Sequence, residues 1–213
     1  MKRIGLFLAT CLICMVASAQ ITWNVKAGAG LATARGDVEN ASGKLGWKIG
    51  VGLEKPLSSD WLIMPSFEFK QKGTQMSFSD EDESEKSKVT FSYLQLPILA
   101  AYRIRLSDEI NLTAKAGPYV AYALSGKETY EYSGSYGSGK EEYDLFDSEE
   151  GVGQRFDAGL LLGVDVEYQR FVLGAEFEYG LLPAAKYEFE DQYESVSFKA
   201  YNTSFYITLG YKF

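Results

Sequence analysis

Residues 201–213 read YNTSFYITLGYKF. Phe205, Ile207, Leu209, Tyr211 and Phe213 fall on one side of an extended segment and Ser204, Tyr206, Thr208 and Lys212 on the other, because successive strand side chains point to opposite faces. Chain ends are usually frayed and polar. Strict alternation ending on an aromatic residue instead predicts a strand held in a sheet, and a barrel supplies this by pairing its last strand with its first, leaving no edge.

The same period of two runs backwards through the chain. Trp23, Val25, Ala27, Ala29 and Leu31 oppose Asn24 and Lys26; Leu45, Trp47, Ile49, Val51 and Leu53 oppose Lys48 and glycines; Trp61, Ile63, Phe67 and Phe69 oppose Glu68 and Lys70. In 88–105 the frame starts on Val89 and Phe91 and then moves to Leu94, Leu96, Ile98, Tyr102 and Ile104, which predicts a bulge near Tyr93. Three further segments, 110–124, 156–168 and 171–182, complete a count of eight strands. Each has 10 or more residues, about the 9–11 that cross a bilayer at a tilt. Segments 55–60, 106–109 and 169–170 are short turns, whereas 34–43, 73–87, 126–153 and 183–199 are longer loops. The fold class expected is all-β: an eight-stranded antiparallel up-and-down transmembrane β-barrel with long extracellular loops and short periplasmic turns. Pro65, Pro97 and Pro118 lie inside these strands, where a missing N–H removes a ladder bond; a bulge is the expected remedy at Pro97.

Charge in hydrocarbon is costly, so the uniformly apolar face must meet lipid and the mixed face the lumen. The mixed face carries Lys26, Lys48, Lys70, Arg103, Arg105, Lys115 and Lys212 with Glu54, Glu68, Asp157, Asp165, Glu167, Glu176 and Glu178, seven of each sign. An eight-stranded barrel is only wide enough for side chains to fill. The expected lumen is therefore a salt-bridged plug, with Gly28, Gly46, Gly50, Gly159, Gly163 and Gly174 making room for the long charged side chains.

The start of the chain reads differently. Lys2 and Arg3, the apolar run 4–17 and Ala17-Ser18-Ala19 predict a cleaved signal peptide over 1–19, and the barrel domain over 20–213. Both cysteines, Cys11 and Cys14, fall in the leader, so neither disulfides nor thiolate chemistry are expected in the barrel. Loss of Lys2 and Arg3 takes the net charge from -8 to -10. No basic cluster offers a nucleic-acid footprint.

Catalysis and cofactors are not expected. The chain has no histidine, the usual base or nucleophile partner of acyl-transfer and hydrolytic sites. Glu176 and Glu178 share a face, yet counter-charges for lumen lysines explain them better than an acid/base pair. In 77–88, Asp80, Asp82 and Ser84 imitate the opening of a calcium loop, but Glu85 stands where Gly is required and Phe91 where the closing Glu belongs. No metal site is expected. The acidic loops read as a hydrated rim, bridged by divalent ions to lipopolysaccharide phosphates. Stretches 127–132 and 186–193 alternate, so strands are expected to continue past the membrane, and Tyr130, Tyr132, Tyr136, Tyr143, Tyr187 and Tyr193 form a candidate contact surface for a protein or glycan.

Two resemblances sharpen this. The ending resembles the carboxy-terminal signature by which the barrel-assembly machinery recognises outer-membrane substrates. The stretches YLQLPILAAYRI (93–104), AKAGPYVAYALSG (114–126), RFDAGLLLGVDVEY (155–168) and FVLGAEFEYGL (171–181) resemble the PorT-like outer membrane protein β-barrel family of Bacteroidota, small barrels of OmpX/OmpA type. That resemblance implies an outer-membrane location with lipid and lipopolysaccharide as surroundings. The filled lumen and the large loops point to a structural or surface-interaction role, and a narrow channel or, as the resemblance to PorT implies, an accessory of protein secretion is the alternative.

Overall fold

The alternation becomes nine antiparallel strands in a computed structural model, which describes residues 21–38, 40–79, 83–134, 137–146, 153–190 and 195–213. They are β1 (Thr22–Gly36), β2 (Ala41–Pro56), β3 (Trp61–Ser79), β4 (Glu83–Arg105), β5 (Ile110–Gly134), β6 (Gly137–Asp144), β7 (Phe156–Tyr168), β8 (Phe171–Glu190) and β9 (Ser195–Lys212). Eight of them close a ring: β1 pairs with β9 from Asn24↔Lys212 to Gly36↔Ala200, and β4 pairs with β5 to shut the other side. The ninth, β6, lies outside the ring and, among the described residues, pairs only with β5, from Lys127↔Asp144 to Gly134↔Gly137. The up-and-down barrel expected from sequence is present, and the count of eight holds for the ring alone. The proposed leader, residues 1–19, lies outside the described residues.

Short turns gather at one end. Leu57 N–H donates to Trp61 O, Leu106 N–H to Ile110 O, and Gln169-Arg170 joins β7 to β8 with Gln169 at φ 54, the left-handed conformation that two-residue hairpin turns use. The opposite end differs from the loop reading. Residues 73–79 and 83–91 are paired strand from Gly73↔Thr90 to Ser79↔Ser84, β5 runs on to Gly134, and β8 and β9 pair out to Glu190↔Ser195. Most of what reads as loop in 73–87, 126–153 and 183–199 is thus hairpin extending beyond the membrane.

Along β7 Phe156, Leu160, Leu162, Val164, Val166 and Tyr168 are exposed, while Asp157, Gly159, Leu161, Asp165 and Glu167 are buried. Leu162 is 55% exposed and Asp165 1%. That inversion, apolar out and charged in, is what hydrocarbon outside the wall selects. Aromatic rings band the short-turn end: Phe171 and Tyr211 lie 5.4 Å apart, Tyr211 and Phe213 5.3 Å, and Trp61 and Tyr102 5.3 Å.

Two expectations about β4 are corrected. Val89 and Phe91 belong to the inward frame with Tyr93, Gln95 and Leu99, so the strand has no shift of face; the apolar residues change which side they occupy because the lumen turns apolar above the membrane. The register does slip, between Ser92 and Tyr93, but the extra residue is Leu124 on β5. Nor do bulges absorb the prolines. Pairing lapses at 53–54 against 64–65, at 66–67 against 96–97 and at 98–99 against 117–118, and resumes each time in unchanged register. Pro65, Pro97 and Pro118 each sit in one of these gaps, so the missing N–H costs a local ladder bond and leaves the register intact.

Candidate functional site

The inward face of the ring builds one continuous polar core. Its central feature is a chain of alternating charges, Lys26–Asp165–Lys115–Glu176–Lys48–Glu68–Lys70–Glu178–Lys72–Asp157. Lys26 Nζ lies 2.8 Å from Asp165, Lys115 2.7 Å from Asp165 and 2.6 Å from Glu176, Lys48 3.0 Å from Glu68, Lys70 2.8 Å from Glu68, and Lys72 2.9 Å from Glu178 and 3.3 Å from Asp157. Lys48 also bonds Glu176, and Lys70 bonds Glu178. Nearer the short turns, Arg103, Glu54, Lys212 and Glu167 close a separate square, with Lys212 Nζ 2.7 Å from Glu54 and 2.6 Å from Glu167, and Arg103 3.0 Å from Glu167 and bonded to Glu54.

Uncharged partners fill the remaining valences. Gln95 and Ser204 donate to Glu178, Thr113 donates to Glu167, and Asn202 donates to Asp157 at 3.0 Å and Tyr93 at 3.1 Å. Lys72 Nζ stands 4.3 Å from the centre of the Tyr119 ring, within cation–π range. Tyr206 crosses the lumen to donate to Gln71 O at 2.6 Å, opposite Gly30 in the β1–β9 ladder. A Cβ on Gly30 would stand 2.7 Å from Tyr206 Cα, so the close approach needs glycine. Gly163 serves Lys115 alike: a Cβ there would lie 2.7 Å from Lys115 Cε.

All of Lys26, Lys48, Glu68, Lys70, Arg103, Lys115, Asp157, Asp165, Glu167, Glu176 and Glu178 lie in these two assemblies, together with Glu54 and Lys212. Arg105, read from sequence as a lumen group, is exposed at the last position of β4. Lys72 replaces it. It sits at 0% side-chain exposure and was missed because the strand was ended at Lys70, although Glu68, Lys70 and Lys72 continue one period of two. Seven cations and seven anions result, and the interior is electrically neutral. Glu176 and Glu178 never bond each other in this arrangement; Lys48 and Lys115 hold one, Lys70 and Lys72 the other. Among the described residues, no group of three or more His, Cys, Asp or Glu side chains converges as metal ligands.

Above the membrane, Tyr132, Tyr143 and Tyr187 are exposed on the extended hairpins and Tyr130 is partly covered, its ring 6.1 Å from that of Tyr132. Tyr136 and Tyr193 lie outside the described residues, as do Asp80, Glu81 and Asp82. Lys127 Nζ donates to Glu142 at 2.5 Å across the β5–β6 hairpin. That hydrogen bond holds Glu142 below its ordinary carboxylate value and Lys127 above its ordinary amine value.

A closed strand ring, apolar outside and ion-paired within, defines the class of small membrane-spanning β-barrels with a filled lumen. The chain belongs to the outer membrane protein beta-barrel domain family, whose model matches residues 17–186. It is an outer-membrane barrel protein. No curated protein sequence matches it. Among solved structures it is similar to Ail, the attachment invasion locus protein of Yersinia pestis, in complex with the heparin analogue sucrose octasulfate, at 15% identity over 92% of this chain and 100% of that one, TM-score 0.42. Neisserial surface protein A follows at 11% identity, 92% and 100% coverage and TM-score 0.44. The outer membrane enzyme PagL follows at 9%, 88% and 98% coverage and TM-score 0.41. Nothing about activity follows from likeness this remote.

Proposed function

We propose that the protein is a non-conducting, non-catalytic barrel that works through its outer surface, presenting the acidic, tyrosine-bearing hairpins to a surface protein or glycan. The alternating ion chain carries this reading. A permeant ion would have to displace lysines and carboxylates already bonded to one another, and a catalytic carboxylate would have to give up the two lysines that hold it. Breaking a buried pair by removing one partner costs roughly 3–5 kcal/mol, and here each break also leaves the neighbouring charges one partner short.

The rest of the reading follows the sequence: export through a signal peptide over 1–19 that is cleaved, insertion by the barrel-assembly machinery, kinship with PorT-like barrels of Bacteroidota, and no cofactor or nucleic acid. Lipid and lipopolysaccharide surround the wall, and divalent ions bridge the acidic rim to phosphates. Planar-bilayer recording of the refolded protein tests it. A flat trace is expected at moderate voltage and neutral pH, whereas reproducible ohmic steps that vanish on protein removal would establish the channel class instead.

A further inference from the structure

Beyond Lys72 the lumen changes character. Phe91, Tyr93, Tyr119 and Leu145 pack into an apolar cluster, with Val89 and Phe146 against it. On its loop side lies a cavity of about 220 Å³ lined by Val38, Met76, Val89, Phe91, Leu145 and Phe198, with Ala184 and Ala200 leaving the space between them. This cavity sits in the extramembrane collar: Val89 pairs with Glu128, six residues past Tyr122, which faces Phe156 at the start of β7. Water would be the natural content of a barrel mouth, yet the walls offer it little. Of the polar side chains present, Thr74 donates to Ser42 O, Glu128 accepts from Ser87, the Asn202 amide donates to Tyr93 and Asp157, and the Tyr201 ring lies 4.8 Å from the Arg35 guanidinium.

An apolar cavity of roughly 150 Å³ stays dry and takes up benzene, and unfilled apolar space forfeits contacts that a ligand restores. We propose that this cavity binds a small, uncharged, hydrocarbon-rich molecule, a single ring or a short aliphatic chain, admitted from the outer side. Glu128 at the wall disfavours an anionic amphiphile. The ion chain beneath blocks onward passage, so the molecule is held at the mouth and not transported.

The test uses the protein in lipid nanodiscs with ¹³C-methyl methionine and alanine, titrated with 1-hexanol. Saturable shifts are expected at the methyls of Met76, Ala184 and Ala200, while Ala114 and Ala116 on the lipid-facing wall respond only linearly, as partition into lipid requires. Ala200→Phe should abolish saturation at Met76 while leaving the wall response unchanged; if that variant does not insert, Ala184→Leu serves. Absence of saturation in the parent protein, or saturation unaltered in the filled variant, overturns the proposal.

Discussion

Glu178 shows how much depends on single side chains here. Lys70, Lys72, Gln95 and Ser204 all point at its carboxylate, which is 1% exposed. Glu178→Gln keeps the shape but leaves Lys70 with Glu68 alone and Lys72 with Asp157 alone, so a loss of up to roughly 3–5 kcal/mol is expected in urea unfolding followed by the gel shift of the folded barrel. Adding Lys70→Met removes one of those two surplus charges. The double variant should therefore be more stable than the sum of the two single losses predicts, because contacting residues are not additive; simple additivity would show that the chain is not energetically connected. Alternation in the sequence placed thirteen of these residues on one face, since lipid outside leaves no other side for charge. It missed Lys72 because Gly73-Thr74-Gln75 reads as loop, and it included Arg105 because period two does not reveal where a strand leaves the wall.

Hairpins beyond the membrane are legible only in part, for a physical reason. Inside the bilayer, one face must be apolar, which writes a period of two into the sequence; in water, both faces of a hairpin tolerate polar residues and the pattern fades. Alternation in 127–132 announced that β5 continues past the membrane, but nothing in the sequence announced its pairing with β6 or the cross-strand contact of Lys88 with Glu131 at 3.2 Å. The Lys127–Glu142 bond gives the β5–β6 hairpin a pH dependence. Glu142 has a lowered value in the folded hairpin, so its contribution is present above its ordinary value of 4.5 and is lost as pH falls through the folded value. Lys127 is raised, so its contribution is present below its ordinary value of 10.5 and is lost as pH rises through the folded value. Hydrogen exchange corrected for intrinsic rates should thus show amides of 127–134 and 137–144 less protected at pH 3 than at pH 7, with the ring strands unchanged. Equal protection at both pH values, or loss across the whole barrel, would refute that assignment. Exposed pairs contribute little, so global stability should barely register Glu142→Gln.

At the scale of the molecule, two surfaces divide the work. The two ion-paired assemblies sum to zero charge, so the chain's net -8 resides outside them, at the hydrated ends and in the leader. An acidic exterior collar over a neutral plug suits a partner-facing barrel better than an ion path, which focuses one sign of charge along its walls. Closure is the pairing of β9 with β1, and period two in both 23–31 and 204–212 marks each of them as a wall strand. The ninth strand carries no such mark, since, among the described residues, β6 answers to β5 alone and leaves no trace of membrane selection.

Everything rests on which way the strand faces point, and accessibility along β7 measures it directly. A chain starting at residue 20 contains no cysteine, so single cysteines with nitroxide labels can be placed one at a time at 160, 161, 162, 164 and 166 in lipid bilayers, reading relaxation by oxygen and by a water-soluble nickel complex. The expected result is oxygen access peaking at Leu160, Leu162, Val164 and Val166, with neither reagent reaching Leu161. Nickel access at 161 would reveal an open aqueous pore, and a flat profile would contradict the barrel wall itself.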